Sequence, residues 1–244
     1  MAPTRRNDVQ VLLRAAADQL ATIEGGYERA LRDESLDLRV PVKNLMENLR
    51  SALDYMAHDI YEACCKADRT VSGKPDPKNI YFPYGQREED FRSGLGASLP
   101  GLQSVAPKVY DLLGAIQPFR CADSWLHDLC FILNTKKHDR LTPQVRQETE
   151  THTVEGPAGS VTIPVNNPSM RVSSLPGAVQ IFGVPAQFGN DGIRTAPSGN
   201  LRHIRTKWVA FVFEGTSINV LGLLRRSVPS IRRLSEDLYR ELGT

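Results

Sequence analysis

The chain lacks most of the features that would settle its class at a glance. No apolar run approaches the ~18 residues of a membrane-spanning helix, so no membrane partner is expected. The N-terminal stretch MAPTRRNDVQ has arginines but no apolar core. No secretory signal is expected there, and the expected address is the cytoplasm. Cysteine is scarce. Cys64 and Cys65 are adjacent, a placement that strains an ordinary disulfide, and Cys121 and Cys130 lie in or beside an apolar helical pattern. All four read as reduced and mostly structural. There is no strong charge of one sign. The formal net charge is +2, too small for a nucleic-acid coat. Nucleophile-elbow, dinucleotide-binding and P-loop motifs are missing, which removes support for hydrolase, nucleotide-cofactor and P-loop readings. No cofactor is implied.

What is present is an ordinary globular composition, 41% hydrophobic and 24% charged over 244 residues. That is enough to bury a core without staples and too apolar for global disorder. Residues 1–150 hold 20 Lys+Arg against 22 Asp+Glu, a net of −2, and residues 151–244 hold 10 against 6, a net of +4. The mild asymmetry permits a phosphate-facing surface in the C-terminal part without requiring one.

Helical periodicity dominates both ends. Val9, Leu12, Ala16, Leu20, Ile23, Tyr27 and Leu31 form one stripe, with Gly25-Gly26 as a candidate bend. Pro41 suits a first helical position, and Val42, Leu45, Leu49, Leu53, Met56, Ile60 and Cys64 form a second stripe. A third helix is expected over 105–116, closed by Pro118. A fourth starts near Asp123 and turns Trp125, Leu126, Leu129, Ile132 and Leu133 inward. Between the second and third helices, residues 68–101 form a connection long enough to suggest function or mobility, with a short extended piece expected at Ile80-Tyr81-Phe82 and one or two helical turns over EEDFRSGL, residues 88–95.

After Pro143 the pattern changes to Gly, Pro, Ser and Asn. Residues 161–165, 179–182 and 208–213 read as strands. A last helix over about 223–242 carries the seam Leu224, Val228, Ile231, Leu234, Leu238 and Leu242, with Gly243 as its stop. The expected fold is α+β: an N-terminal antiparallel bundle of about four helices, a small antiparallel sheet, and a C-terminal helix packing back on the bundle. Residues 1–142 are expected to form the bundle, and 143–244 the sheet with the last helix, packed as one unit.

Two helix faces carry candidate chemistry. On the second helix Glu47, Arg50, Asp54 and His58 recur every three or four residues. The plain reading is a ladder of exposed pairs. The functional one makes Arg50, Asp54 and His58 a binding constellation, with Asp54 orienting its neighbours. On the fourth helix His127, Phe131, Asn134 and His138 share a face opposite Leu129. They form either a second packing layer or a cleft in which His127 and His138 serve as acid and base. Asp123, His127 and Cys130 have a spacing that a helix-borne metal site could use, but the paired motif of a zinc site is missing, and no metal is expected. The last helix's arginines, with Glu236 and Asp237 among them, read by default as a self-paired solvated face, with a phosphate-contacting face as the alternative and no aromatic interleaving to suggest base stacking. The segment NTKKHDRL, residues 134–141, ends the fourth helix, where Lys136, Lys137, His138 and Arg140 suit the negative end of the helix dipole.

The segments LRSALD (49–54), Phe82-Pro83, Gln117-Pro118-Phe119 and LNTKKHDRL (133–141) together resemble a bacterial family that carries an "LRSALD" helix, an "FP" connection and "QP(Y/F)" and "LN…KH" helix ends. That family has no established activity, and its usual Asp-Lys-His-Arg ending differs from Lys136-Lys137-His138-Asp139 here. More distantly, the helical part resembles HEPN-type bundles, many of which cut RNA without metal through an Arg and a His four to six residues apart. Here Arg120 and His127 have six residues between them, and Cys121 stands where that pattern has a polar residue.

Two functions follow. The first is a non-catalytic interaction or ligand-binding module for a protein or small-molecule partner, using Arg50, Asp54, His58, Phe131, Asn134 and Lys137; a dimer is compatible with it. The second is a metal-independent ribonuclease. There His127 or His138 takes the 2′-hydroxyl proton and Arg120 or Arg140 stabilises the phosphorane charge, which also makes RNA a possible partner.

Overall fold

The computed structural model describes residues 5–30, 37–136, 144–165, 174–175 and 178–244. The sequence candidates Leu31, Lys137, His138 and Arg140 lie outside them. The fold is α+β. The chain divides into two compact units, 1–145 with 212–244, and 146–211. The last helix therefore belongs with the N-terminal helices, and the strands between form a unit of their own. This partition differs from one that groups 143–244 together.

In the first unit, α1 (Arg6–Ala30) and α2 (Arg39–Ile60) follow their apolar stripes. Val9, Ala16 and Ile23 of α1, and Leu45, Leu49, Leu53 and Met56 of α2, are buried to 0% exposure on the shared seam. Gly25-Gly26 does not interrupt α1. The helices run antiparallel: Arg5 meets Asp59 at one end, and Asn48 Nδ2 donates to Gln19 Oε1 at 3.1 Å nearer the other. α2 continues through a π-helical turn, Tyr61–Cys65, into α3 (Lys66–Val71).

The long connection is not bare. It contains α4 (Glu88–Ser98), whose first turn carries Glu88, Glu89 and Asp90 at the positive end of the helix dipole. Then come α5 (Leu102–Val105), α6 (Pro107–Ala115) and α7 (Pro118–Cys121). α8 (Trp125–Lys136) buries Trp125, Leu126, Leu129, Ile132 and Leu133 as their spacing predicts. α9 (Val220–Glu241) starts at Asn219, whose Oδ1 accepts from Gly222 N at 2.7 Å, and stops at Gly243 with φ +70°. It packs on α1, α2, α6 and α8. No helix among the described residues is long and apolar enough to cross a membrane.

The second unit holds two three-stranded sheets. One has the order β2 (Gly159–Val165), β1 (Gln144–Gly156), β6 (Arg202–Phe213); the other β3 (Val179–Ile181), β4 (Val184–Gly189), β5 (Gly192–Thr195). Hairpins join β1 to β2 with Gly156 opposite Gly159, and β4 to β5 with Gly189 opposite Gly192. The expected strand 179–182 ends one residue early. Phe182 (φ +50°) and Gly183 (φ +79°) form the tight turn into β4, the geometry that matches strand twist. The ring of Phe182 lies over Gly156, where a side chain would collide with it. Val154, Ile163, Ile181, Ala186 and Ile193 make the core of this unit.

Candidate functional site

Arg50 and Asp54 sit one turn apart on α2. Arg50 Nε donates to Asp54 Oδ2 at 3.1 Å, and the other Asp54 oxygen accepts Phe82 N at 2.9 Å. A second Arg50 nitrogen donates to Cys130 Sγ on α8 at 3.0 Å, and the guanidinium lies 5.5 Å from the ring centre of Tyr84. Burial opposes the charge on Arg50, but Cys130 and Asp54 outweigh it and hold its pKa above the ordinary arginine value. Burial pushes the Cys130 thiol up to about 11. At neutral pH Cys130 is therefore a thiol acting as acceptor, and Asp54 is the ionic partner of Arg50.

Tyr84 links this cluster to the outer face of α8. Its hydroxyl accepts from Asn134 Nδ2 at 2.7 Å, and its ring lies 6.3 Å from that of His127. His127 stacks on Phe131, one turn along, with ring centres 5.8 Å apart and planes 13° apart. Its Nδ1 lies 3.5 Å from Asp128 Oδ1. Phe131 is 42% exposed. Behind the connection, the fully buried Gln117 accepts from Gly85 N at 3.1 Å and donates to Leu113 O at 2.9 Å and Pro83 O at 3.4 Å. Residues of LRSALD, Phe82-Pro83, Gln117-Pro118 and the fourth helix, far apart in sequence, are thus joined by hydrogen bonds.

Other candidates fall elsewhere. His58, one turn beyond Asp54, is half-buried and makes no side-chain hydrogen bond among the described residues. Glu47 pairs with Lys43 at 3.7 Å, so the α2 stripe is not a continuous ladder. Arg120 turns to α6: it pairs with Asp111 Oδ1 at 3.5 Å, lies 5.9 Å from the Tyr110 ring centre and rests on Gly114. Ala122, at φ +54°, ends α7 before α8 begins, so Arg120 and His127 stand on different helices and their spacing confers no common face. Asp123 accepts from Trp125 N and Arg226 and Cys130 accepts from Arg50, while His127 lies with the rings. Among the described residues no three His, Cys, Asp or Glu side chains are grouped to hold a metal.

Periodicity alone could not find Tyr84, Cys130 and Gln117. Tyr84 and Gln117 lie in non-periodic segments, and Cys130, apart from its spacing to Asp123 and His127, reads as one more apolar position. The available signal was local: a Tyr-Gly following Phe-Pro, and a Gln immediately before the Pro that opens α7.

The β unit holds a second polar chain. Ile193 N donates to His152 Nδ1 at 3.0 Å, so that nitrogen carries no proton and His152 Nε2–H must be the donor to His203 Nδ1, also at 3.0 Å. His203 then donates through Nε2 to Thr195 Oγ1 at 3.0 Å. Gly192 lets the backbone approach, since a side chain there would collide with His152 Nδ1. His152 is 5% exposed. Burial first, then His203 and Arg205, lower its pKa, against smaller opposing effects of Glu150 and Asp191. A lowered folded pKa means the unfolded chain binds the extra proton first. The stabilisation is complete above about pH 6.5 and is lost as pH falls through the folded value. Hydrogen exchange at Val154 and Ile163 should therefore accelerate, after correction for intrinsic rates, as the pH is lowered below about 6.5. The effect should be absent in His152→Gln; an equal response in that variant would show that another group governs it.

No family model, curated protein or solved structure matches the chain.

Proposed function

We propose that the chain is a non-catalytic interaction module whose recognition surface is the ring ledge of Tyr84, His127 and Phe131, edged by Asn134. The observation that carries this reading is the division of labour at the cluster. Arg50 donates to Asp54 and Cys130 and covers its face with Tyr84, so it braces the ledge rather than reaching a substrate. The His127 and Phe131 rings lie nearly parallel at the surface, a form suited to a planar or aromatic group of a protein or small-molecule partner. Asn134, with one amide hydrogen on Tyr84, keeps its carbonyl available to accept a hydrogen bond at the edge.

The resemblance to HEPN bundles supports a metal-independent ribonuclease instead. That mechanism needs an Arg and a His on one phosphate. Arg120 is engaged by Asp111 and Tyr110, which leaves that reading with less support. One experiment separates them. N-acetyl-tryptophanamide titrated into isotope-labelled protein should shift the amide resonances of residues 127, 131 and 134, and Phe131→Ala should abolish the shifts. RNA incubated with EDTA should stay at background cleavage. Cleavage that persists in EDTA and disappears in His127→Ala would replace the binding reading with the catalytic one.

A further inference from the structure

α1 and α9 pack antiparallel along one seam. Arg6 lies 5.7 Å from the ring centre of Tyr239 at one end, and Glu24 pairs with Arg225 at 2.6 Å toward the other. Between these points the register sets Arg14 across from Arg232. Elsewhere α9 matches its arginines with carboxylates: Arg226 with Asp123 at 2.9 Å, and Arg240 and Arg233 with Asp237 at 2.7 and 3.9 Å. Arg232 breaks the pattern. Among the described residues neither it nor Arg14 has an ion-pair or hydrogen-bond partner, and Arg6 has only the tyrosine ring.

These three guanidiniums line a cleft of about 390 Å³, within the size range of small-ligand sites. Glu236 is the lone carboxylate in its wall, so the lining carries three positive charges against one negative. Buried Ser235 contributes a hydroxyl that accepts no hydrogen bond from the described residues, and Tyr239 supplies an apolar surface. The Tyr239 hydroxyl points away, donating to Asp59 Oδ2 at 2.8 Å, which fixes the ring that Arg6 covers. A second hollow of about 470 Å³ adjoins the first and shares Arg232 and Glu236.

Arginines grouped in one cleft with a single carboxylate, Glu236, among them repel each other, weakly because they are exposed, and an anion seated among them turns the repulsion into attraction. Guanidiniums present forked donors that match phosphate oxygens. We infer that the α1–α9 cleft is a binding site for a phosphate-bearing small molecule, with Arg6, Arg14 and Arg232 holding the phosphate and Tyr239 flanking the remainder. The site is separate from the α8 ledge and does not depend on the function proposed for it.

Calorimetric titration of the full chain with inorganic pyrophosphate at fixed ionic strength tests this, with sulfate and a single-stranded RNA oligonucleotide as comparison ligands. Saturable pyrophosphate binding is expected, weakened about ten-fold or more in Arg14→Gln and in Arg232→Gln. Arg225→Gln, which removes the same charge from a paired position outside the cleft, should leave it unchanged. These substitutions are on exposed positions, and circular dichroism verifies that the variants are folded. Absence of saturable binding, or equal weakening in Arg225→Gln, would overturn the site. RNA binding without pyrophosphate binding would overturn it in favour of a nucleic-acid surface.

Discussion

Replacing Asp59 with Ala should lower the unfolding free energy of the helical unit by about 3 kcal/mol or more. The side chain is 3% exposed, yet its carboxylate is satisfied on every side. It accepts Arg5 N at 2.9 and 3.1 Å, an Arg5 guanidinium nitrogen at 3.0 Å and the Tyr239 hydroxyl at 2.8 Å. Two of these bonds go to a backbone N–H at the start of α1, so a residue of α2 caps a neighbouring helix while α9 closes the third side. Alanine leaves the tyrosine hydroxyl buried without its acceptor and the Arg5 amide, just ahead of α1, unpaired. Arg5 is 31% exposed, and water recovers part of its loss, which places the figure at the lower end of the range for broken buried pairs. For a unit of this size the loss corresponds to a fall in melting temperature on the order of 10 °C, followed by helical circular dichroism. Tyr239→Phe keeps the Arg5 contacts and should cost only about 1 kcal/mol. Equal losses in the two variants would mean that Asp59 acts through the tyrosine alone.

The second large effect is expected at Gln117. Ala at this position deletes the acceptor for Gly85 N and the donor to Leu113 O and Pro83 O, all inside the protein. Unsatisfied buried groups cost ~1–3 kcal/mol each, and a cavity adds to that, so a loss of about 3 kcal/mol is reasonable for the set. Gln117→Glu is the sharper probe. It keeps the volume and the acceptor but cannot donate to either carbonyl when ionised, and it places a charge where none is solvated. It should destabilise at least as much as alanine. Limited proteolysis should cut the 72–87 connection faster in both variants, because its end is fastened by this amide. Unchanged proteolysis would show that the contacts of Asp54 with Phe82 and of Tyr61 with Asp76 suffice.

The long helices were legible in the sequence because each buries a stripe with a 3.6-residue period, and that pattern needs no partner to be recognised; the short α3 and α7 bury no residue and left no such pattern. Most of the stripe residues of α1, α2, α8 and α9 reach the core, while Leu12, Leu20, Cys64 and Leu242 are only half-buried. β1 was not legible. It reads QVRQETETHTVEG, and only His152 and Val154 are buried, so most of the strand shows water a polar face and carries no apolar alternation. The early end of β3 depends on Phe182 adopting a left-handed backbone, which a sequence rule reserves for Gly or Asn. The candidate site was half visible. Arg50, Asp54, His127, Phe131 and Asn134 were picked out by helical spacing, but spacing describes one helix at a time. What joins α2 to α8 is a Tyr in a loop and a thiol in an apolar row, and both contacts exist only after the chain has folded.

The two strands that bound the β unit are neighbours in one sheet. Thr151 lies beside Thr206, and Glu155 beside Arg202, so the same register brings position 146 close to position 211. A segment whose two ends leave side by side, about one strand spacing apart, interrupts its host no more than a short loop would. Such a cassette can be enlarged, exchanged or discarded over evolutionary time while the helices around the junction keep their packing, and the two parts of this chain are free to diverge at different rates.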